Sequence, residues 1–174
     1  MKKFLVIIFG LFLFSCVTKA NNANIFEFES WVHRSDKDNN IDLVYNSENP
    51  LKSMIFIIDP SMSCDARLVY RNHELEEINL SYLNGEKFDW QLSGVNYQGD
   101  NASKLNTDGF TRFELISFYK HHFEELEDLL APRGIIGFSV KDPLDRFEPQ
   151  IVQHKANGLS RALSHALETC QGWT

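Results

Sequence analysis

Apolar and polar residues alternate with a period of two through much of the first half of the chain, and a helical period takes over in the second. Phe26-Glu27-Phe28-Glu29 alternates as a half-buried strand does and runs on through Trp31-Val32. Asp36 to Asn40 supplies turn residues before a second strand at Ile41 to Tyr45. Ser53 to Ile58 is almost continuously apolar and is stopped by Asp59-Pro60, as expected of a central strand buried on both faces. Alternation resumes at Ala66, Leu68 and Tyr70. Between Leu75 and Leu92, Ile78, Leu80 and Tyr82 want one face, as do Phe88, Trp90 and Leu92. A three-residue loop Leu83-Asn84-Gly85, with Gly85 left-handed, puts both sets on that face by pairing Leu80 with Phe88 and Ile78 with Trp90.

The period then changes. Ser117, Phe118, His122, Phe123, Leu126, Leu129 and Leu130 recur at helical spacing up to Pro132-Arg133-Gly134, which predicts a central helix. Gly134 to Val140 and Glu148 to His154 read as two strands with a polar loop between them. In the last segment Leu159, Ala162, Leu163, Ala166, Leu167 and Cys170 form one stripe of an amphipathic helix. The pattern predicts an α+β domain: a largely antiparallel β-sheet or sandwich with one central and one C-terminal helix.

The first twenty residues have another character. Lys2 and Lys3 precede an uncharged run from Phe4 to Phe14, which has the length of a secretory h-region and falls short of the ~20 residues a spanning helix needs. Cleavage near Ala20 or Ala23 is one expectation. The other rests on a resemblance: Leu13-Phe14-Ser15-Cys16 resembles a bacterial lipobox, although Phe14 stands where a small residue is usual. It implies a signal peptide over 1–15, an acylated Cys16, a short tether over 16–24 and one globular domain over 25–174. Val17, which is not Asp, implies by the same resemblance the periplasmic face of the outer membrane. Without lipid, the protein is expected to be soluble in the periplasm.

Cysteine usage agrees with export. Acylation of Cys16 leaves Cys64 and Cys170, more than a hundred positions apart, as a pair that an oxidising compartment would join. Loss of Lys2 and Lys3 raises the excess of acidic over basic residues from seven to nine. That balance disfavours nucleic acid and adhesion to anionic lipid, since both want clustered Lys and Arg. The fourteen Phe, five Tyr and three Trp are ample for a dense core.

Trp31, Cys64, Gly158, Leu159, Ala162, Leu163 and Cys170, the last five within the closing GLSRALSHALETC, together resemble the small Gram-negative exported domains of the invasion-associated locus B type and accessory domains of type VI secretion. The resemblance implies a β-sandwich-like exported protein without an established catalytic site.

Catalytic motifs are incomplete. Ser117-Phe118-Tyr119-Lys120 has S-x-x-K spacing at the expected helix start, but the companion S-D-N and K-T-G elements are missing. His121 and Glu125 fall at i, i+4 and His122 and Glu125 at i, i+3, pairs on a helix face that could hold zinc, yet the order is not H-E-x-x-H and no third protein ligand can be named. Asp36, Asp38, Asn40 and Asp42 alternate like calcium-loop ligands, with Ile41 where Gly is needed and Ser47 where Glu is. Gly137-Phe138-Ser139 lacks the second glycine of a nucleophile elbow and reads as strand. The expected function is therefore a lipid-anchored envelope module that binds a protein or glycan partner, as an inhibitor or accessory factor and without a cofactor. The alternative is a metal-dependent hydrolase using His121, His122 and Glu125.

Overall fold

Between Phe28 and Trp31 the apolar alternation slips by one residue, and the chain turns there instead of running on. The computed structural model describes residues 23–49, 52–72, 81–99, 102–107, 113–118 and 134–172. Strand β1 (Ala23–Phe28) pairs antiparallel with β2 (Trp31–Asp36) across a two-residue turn whose Glu29 takes φ 58°. Turning at Glu29-Ser30 brings Phe26 and Phe28 onto the face that Trp31 and His33 occupy, which a continuous strand could not do. The Lys37–Asn40 loop leads to β3 (Ile41–Asn46), and β4 (Lys52–Ile58) and β5 (Ala66–Asn72) follow in antiparallel order.

The remaining strands are β6 (Lys87–Phe88), β7 (Trp90–Leu92), β8 (Val95–Tyr97), β9 (Ser103–Thr107), β10 (Phe113–Phe118), β11 (Ile135–Val140) and β12 (Gln150–Lys155). They complete an eight-stranded sheet, β1-β2-β3-β4-β5-β10-β9-β6, and a four-stranded sheet, β12-β11-β7-β8. The fold is thus α+β, mostly antiparallel sheet closed by helix α1 (Leu159–Gln171) and a Cys64–Cys170 disulfide. Strand β4 sits mid-sheet and is buried on both faces, with Met54, Phe56 and Ile58 on one side and Ile55 on the other. Its almost unbroken apolar run has that cause.

Two of the expected elements are different. Ser81–Leu83 forms a 3₁₀ turn, and the 83–85 hairpin is not made: β6 pairs with β9, while β7 pairs with β8 and β11. Phe88, Trp90 and Leu92 do share a buried face, and Gly85 is left-handed at φ 90°, so the period was right and the partner strand was not. Asp89 separates β6 from β7, and there the chain passes from one sheet to the other. The second correction concerns Ser117 and Phe118. They end strand β10, opposite Leu68 and Arg67 of β5, and do not open a helix. Backbone pairing with β5 takes these two residues, and the rest of the expected central helix lies outside the described residues.

One face of the large sheet carries the main core, covered by two different elements. Helix α1 lies over β1 to β4, burying Leu159, Ala162, Leu163, Ala166 and Cys170, and β12 of the small sheet also reaches β4. Beyond it Tyr70 of β5 stacks on Phe138 at 5.1 Å and Phe138 meets Trp90 at 5.6 Å. Trp31 marks the junction: fully buried, it packs on Phe56 and His154 and donates from Nε1 to the Lys155 carbonyl at 2.8 Å. The disulfide fixes the far end of the helix to the turn before β5, with Cα atoms 6.0 Å apart.

Two stability predictions follow from this closure. Cross-linking residues 106 positions apart restricts the unfolded chain, so a Cys64→Ser/Cys170→Ser variant should lose roughly 3–5 kcal/mol by urea unfolding. Wild-type thiols at both positions should resist labelling under denaturing, non-reducing conditions. Gly158, at φ 87°, starts the helix against β1, and a Cβ there would lie 2.0 Å from the Phe28 carbonyl oxygen. Gly158→Ala should therefore cost at least about 2 kcal/mol, read as a lower urea midpoint.

Candidate functional sites

Helix α1 crosses β1 and β2 where the sheet face carries polar atoms. His33 lies opposite Val44 in the β2–β3 register, so Asp42, two residues along β3, is its diagonal neighbour. His33 Nε2 donates to Asp42 Oδ1 at 2.6 Å, and both residues are fully buried. On the other side of the ring, His33 Nδ1 meets His165 Nδ1 of the helix at 2.8 Å. Phe26 stacks on His33 at 5.5 Å and touches His165 at 4.4 Å, and Phe28 approaches His165 at 5.5 Å. Asp42, His33 and His165 form a chain from a buried carboxylate to a half-buried ring. It has spare capacity at its inner end, since Asp42 Oδ2 and Ser35 Oγ, on residues paired across β2 and β3, are buried without a hydrogen-bond partner.

The outer face of the four-stranded sheet is the second place of interest. Ile151, Ser139, Gln91 and Asn96 line up across β12, β11, β7 and β8. Gln91 Nε2 donates to Asn96 Oδ1 at 2.6 Å, and Ser139 Oγ donates to Gln91 Oε1 at 3.4 Å. Gln91, Ser139 and Ile151 form the shared ridge of two shallow depressions of about 380 and 410 Å³. Asp89 and Lys141 stand at the outer end of the first. The second is lined by Gln153, Ser93 and Ile135 and has Gly137 at its floor. Ile135 and Ile151 are 47% and 61% exposed.

A third cluster is structural. Asp142, fully buried in the β11–β12 loop, accepts from the backbone N–H groups of Leu144 and Arg146 at 3.2 and 2.7 Å. It also accepts from Arg146 Nε and Nη2 at 2.8 and 3.1 Å, while Arg146 reaches Glu86 at 2.9 Å and covers the Phe88 ring. The Arg146 side chain foremost, then the backbone donors, hold the Asp142 carboxyl down at about 2 despite its burial.

Of the residues expected from the sequence, Cys64 and Cys170 are bonded to each other. Cys16, Lys120, His121, His122 and Glu125 lie outside the described residues. The aspartates with calcium-loop spacing have other partners, in keeping with a loop that lacks its Gly and Glu: Asp36 accepts from the Asn39 backbone and side chain at 3.2 and 3.0 Å, and Asp42 is held by His33. Among the described residues no group of three or more His, Cys, Asp or Glu is placed to hold a metal ion, and no helix is long and apolar enough to cross a membrane. Gly137-Phe138-Ser139 is strand, as read. The sequence reading missed the Asp42–His33–His165 chain. Its local trace is the β2 alternation, which puts His33 on the same buried face as Trp31.

A pH prediction follows for two buried groups. Asp142 titrates near 2 in the folded protein, below the usual ~3.9, so its contribution to stability is complete above the ordinary aspartate range and is lost as pH falls toward 2. His154 is pushed below its ordinary value by burial, partly offset by Glu48, so its contribution is present above about 6.5 and declines as pH falls below that. Urea unfolding from pH 8 to 2 should show both losses, and Asp142→Asn should erase the more acidic one. Comparison with known proteins adds no name to these sites: no family model, curated protein or solved structure matches this chain.

Proposed function

We propose that this protein is an exported, lipid-anchored interaction module that binds a neutral polar partner in the cell envelope, a glycan or a protein, on the outer face of its four-stranded sheet. The observation that carries the reading is the Ile151-Ser139-Gln91-Asn96 row and the two depressions it separates. Amide and hydroxyl groups in that row both donate and accept, and the exposed isoleucines beside them offer apolar contact. In a chain of formal charge −7, charge at this face sits at the margins, at Asp89, Lys141 and Lys155. Such a face suits a partner read by hydrogen bonds and shape, not by charge. An acylated Cys16 and the short stretch between it and β1 would hold the domain close to the membrane.

The test uses the groove and the anchor separately. A Cβ at Gly137 would come no closer than 3.5 Å to Gln153, so Gly137→Ala adds a methyl group to the lining of one depression in ordinary van der Waals contact. Combined with Gln91→Ala, it should weaken binding to isolated peptidoglycan or outer-membrane fractions by roughly tenfold or more, with the melting temperature nearly unchanged. Binding that is unaffected would reject this face. Cys16→Ala should move the domain from the membrane fraction to the soluble periplasm with its stability intact, and a wild-type N-terminus without acyl chains on mass spectrometry would reject the anchor.

A further inference from the structure

Two ring nitrogens 2.8 Å apart can hold only one proton between them, which gives the His33–His165 contact a defined charge inventory. An ionised Asp42 accepts and does not donate, so the proton it faces stays on His33 Nε2. Without added protons, His33 Nδ1 is bare and accepts the Nδ1–H of His165. The first proton can enter at His165 Nε2, while the Nδ1 proton of His165 passes to His33. His33 is then a cation beside Asp42, and His165 Nδ1 accepts from it. The contact survives, and the three groups carry no net charge. A second proton has no such place. Both Nδ1 atoms would carry hydrogen, and two cations would face each other with one of them fully buried.

We propose that Asp42, His33 and His165 form a proton-operated latch, which holds the C-terminal helix on the β1–β3 hairpins through one shared imidazole proton and releases it when both rings are charged. Among the described residues, no other carboxylate is buried beside the pair to neutralise the second charge. From β1 the facing residues are Asn24, Phe26 and Phe28, and β4 presents Phe56 and Ile58, none of them charged. Asp42 of β3 is already committed to His33. On the helix, one turn before His165, Arg161 is a cation engaged with Glu29 of the β1–β2 turn, while Glu168, one turn after, is exposed. His154 of β12 lies against Trp31, where its own charging adds to the positive side. Release is confined to one end of the helix, because Cys170 is bonded to Cys64 and holds the other.

Hydrogen–deuterium exchange on the disulfide-intact protein tests the latch. Between pH 7 and about pH 5, after correction for intrinsic rates, amides of the helix from 162 to 166 should lose at least roughly tenfold more protection than those of β4 and β5. His165→Gln should abolish that difference, since its side-chain amide can donate to or accept from His33 Nδ1 and takes up no proton. A wild-type helix that keeps its protection, or a Gln variant that loses it equally, would overturn the proposal. Should the variant not fold, nitrogen NMR of the wild-type rings decides. One bare and one protonated Nδ1 while the helix is closed supports the latch, and two protonated Nδ1 atoms in a closed helix refutes it.

Discussion

Trp31 sits where two unlike coverings meet on one face of a wide sheet, and the arrangement of the whole domain depends on how that face is closed. An eight-stranded sheet presents more apolar surface than a 13-residue helix can cover, so the helix takes the β1–β4 end and the small sheet takes the β5 end. The seam between them has to exclude water. The Trp31 indole fills it with the largest of side chains and directs its one polar atom to the Lys155 carbonyl, at the point where β12 hands over to the helix. The Ala156 N–H bonds to the Gly134 carbonyl and Leu159 N–H to Ala156, so this handover is itself tied to the start of β11. With Gly158 pressed against Phe28, the helix can start only where β1 and β2 have already paired.

The closure leaves a polar residue set inside. Burying Asp42 and His33 costs solvation that an apolar pair would not, and the arrangement holds because Oδ1 and both ring nitrogens of His33 are satisfied by one another and by His165. Asp42 Oδ2 and Ser35 Oγ remain unsatisfied beside them. The polar chain ties two strands and the helix together through groups whose protonation can change, while the disulfide holds the helix at the other end through a bond that cannot. The helix is thus held by one permanent and one conditional attachment.

What could be read from the sequence was what depends on local period. The central position of β4, the β11–β12 pair, the buried stripe of the helix and its link from Cys170 to Cys64 each leave a mark within a few residues, or through the parity of the cysteines. Pairing across distance leaves none. Phe88, Trp90 and Leu92 announce a buried face but not which strands lie beside them, and the strands they pair with are β8, β9 and β11. Ser117 and Phe118 fit a helical series by spacing alone until β5 claimed them as strand. His33 and His165, 132 positions apart, are an ordinary buried histidine and an ordinary helix-surface histidine until the helix docks.

The outer groove was hidden for the opposite reason. Gln91, Asn96, Ser139 and Gln153 are what any solvated strand face carries, and only the register of four strands, which sets Ile151 beside Ser139 and Ser139 beside Gln91, turns them into a continuous row. Two kinds of polar site therefore contrast within the domain. Those under the helix are few, charged and enclosed, so their energies respond strongly to a single proton. Those on the outer sheet are neutral and wet, and respond little. A face built from the second kind keeps its chemistry as the surrounding pH changes, while the first kind supplies a part of the same fold that does not.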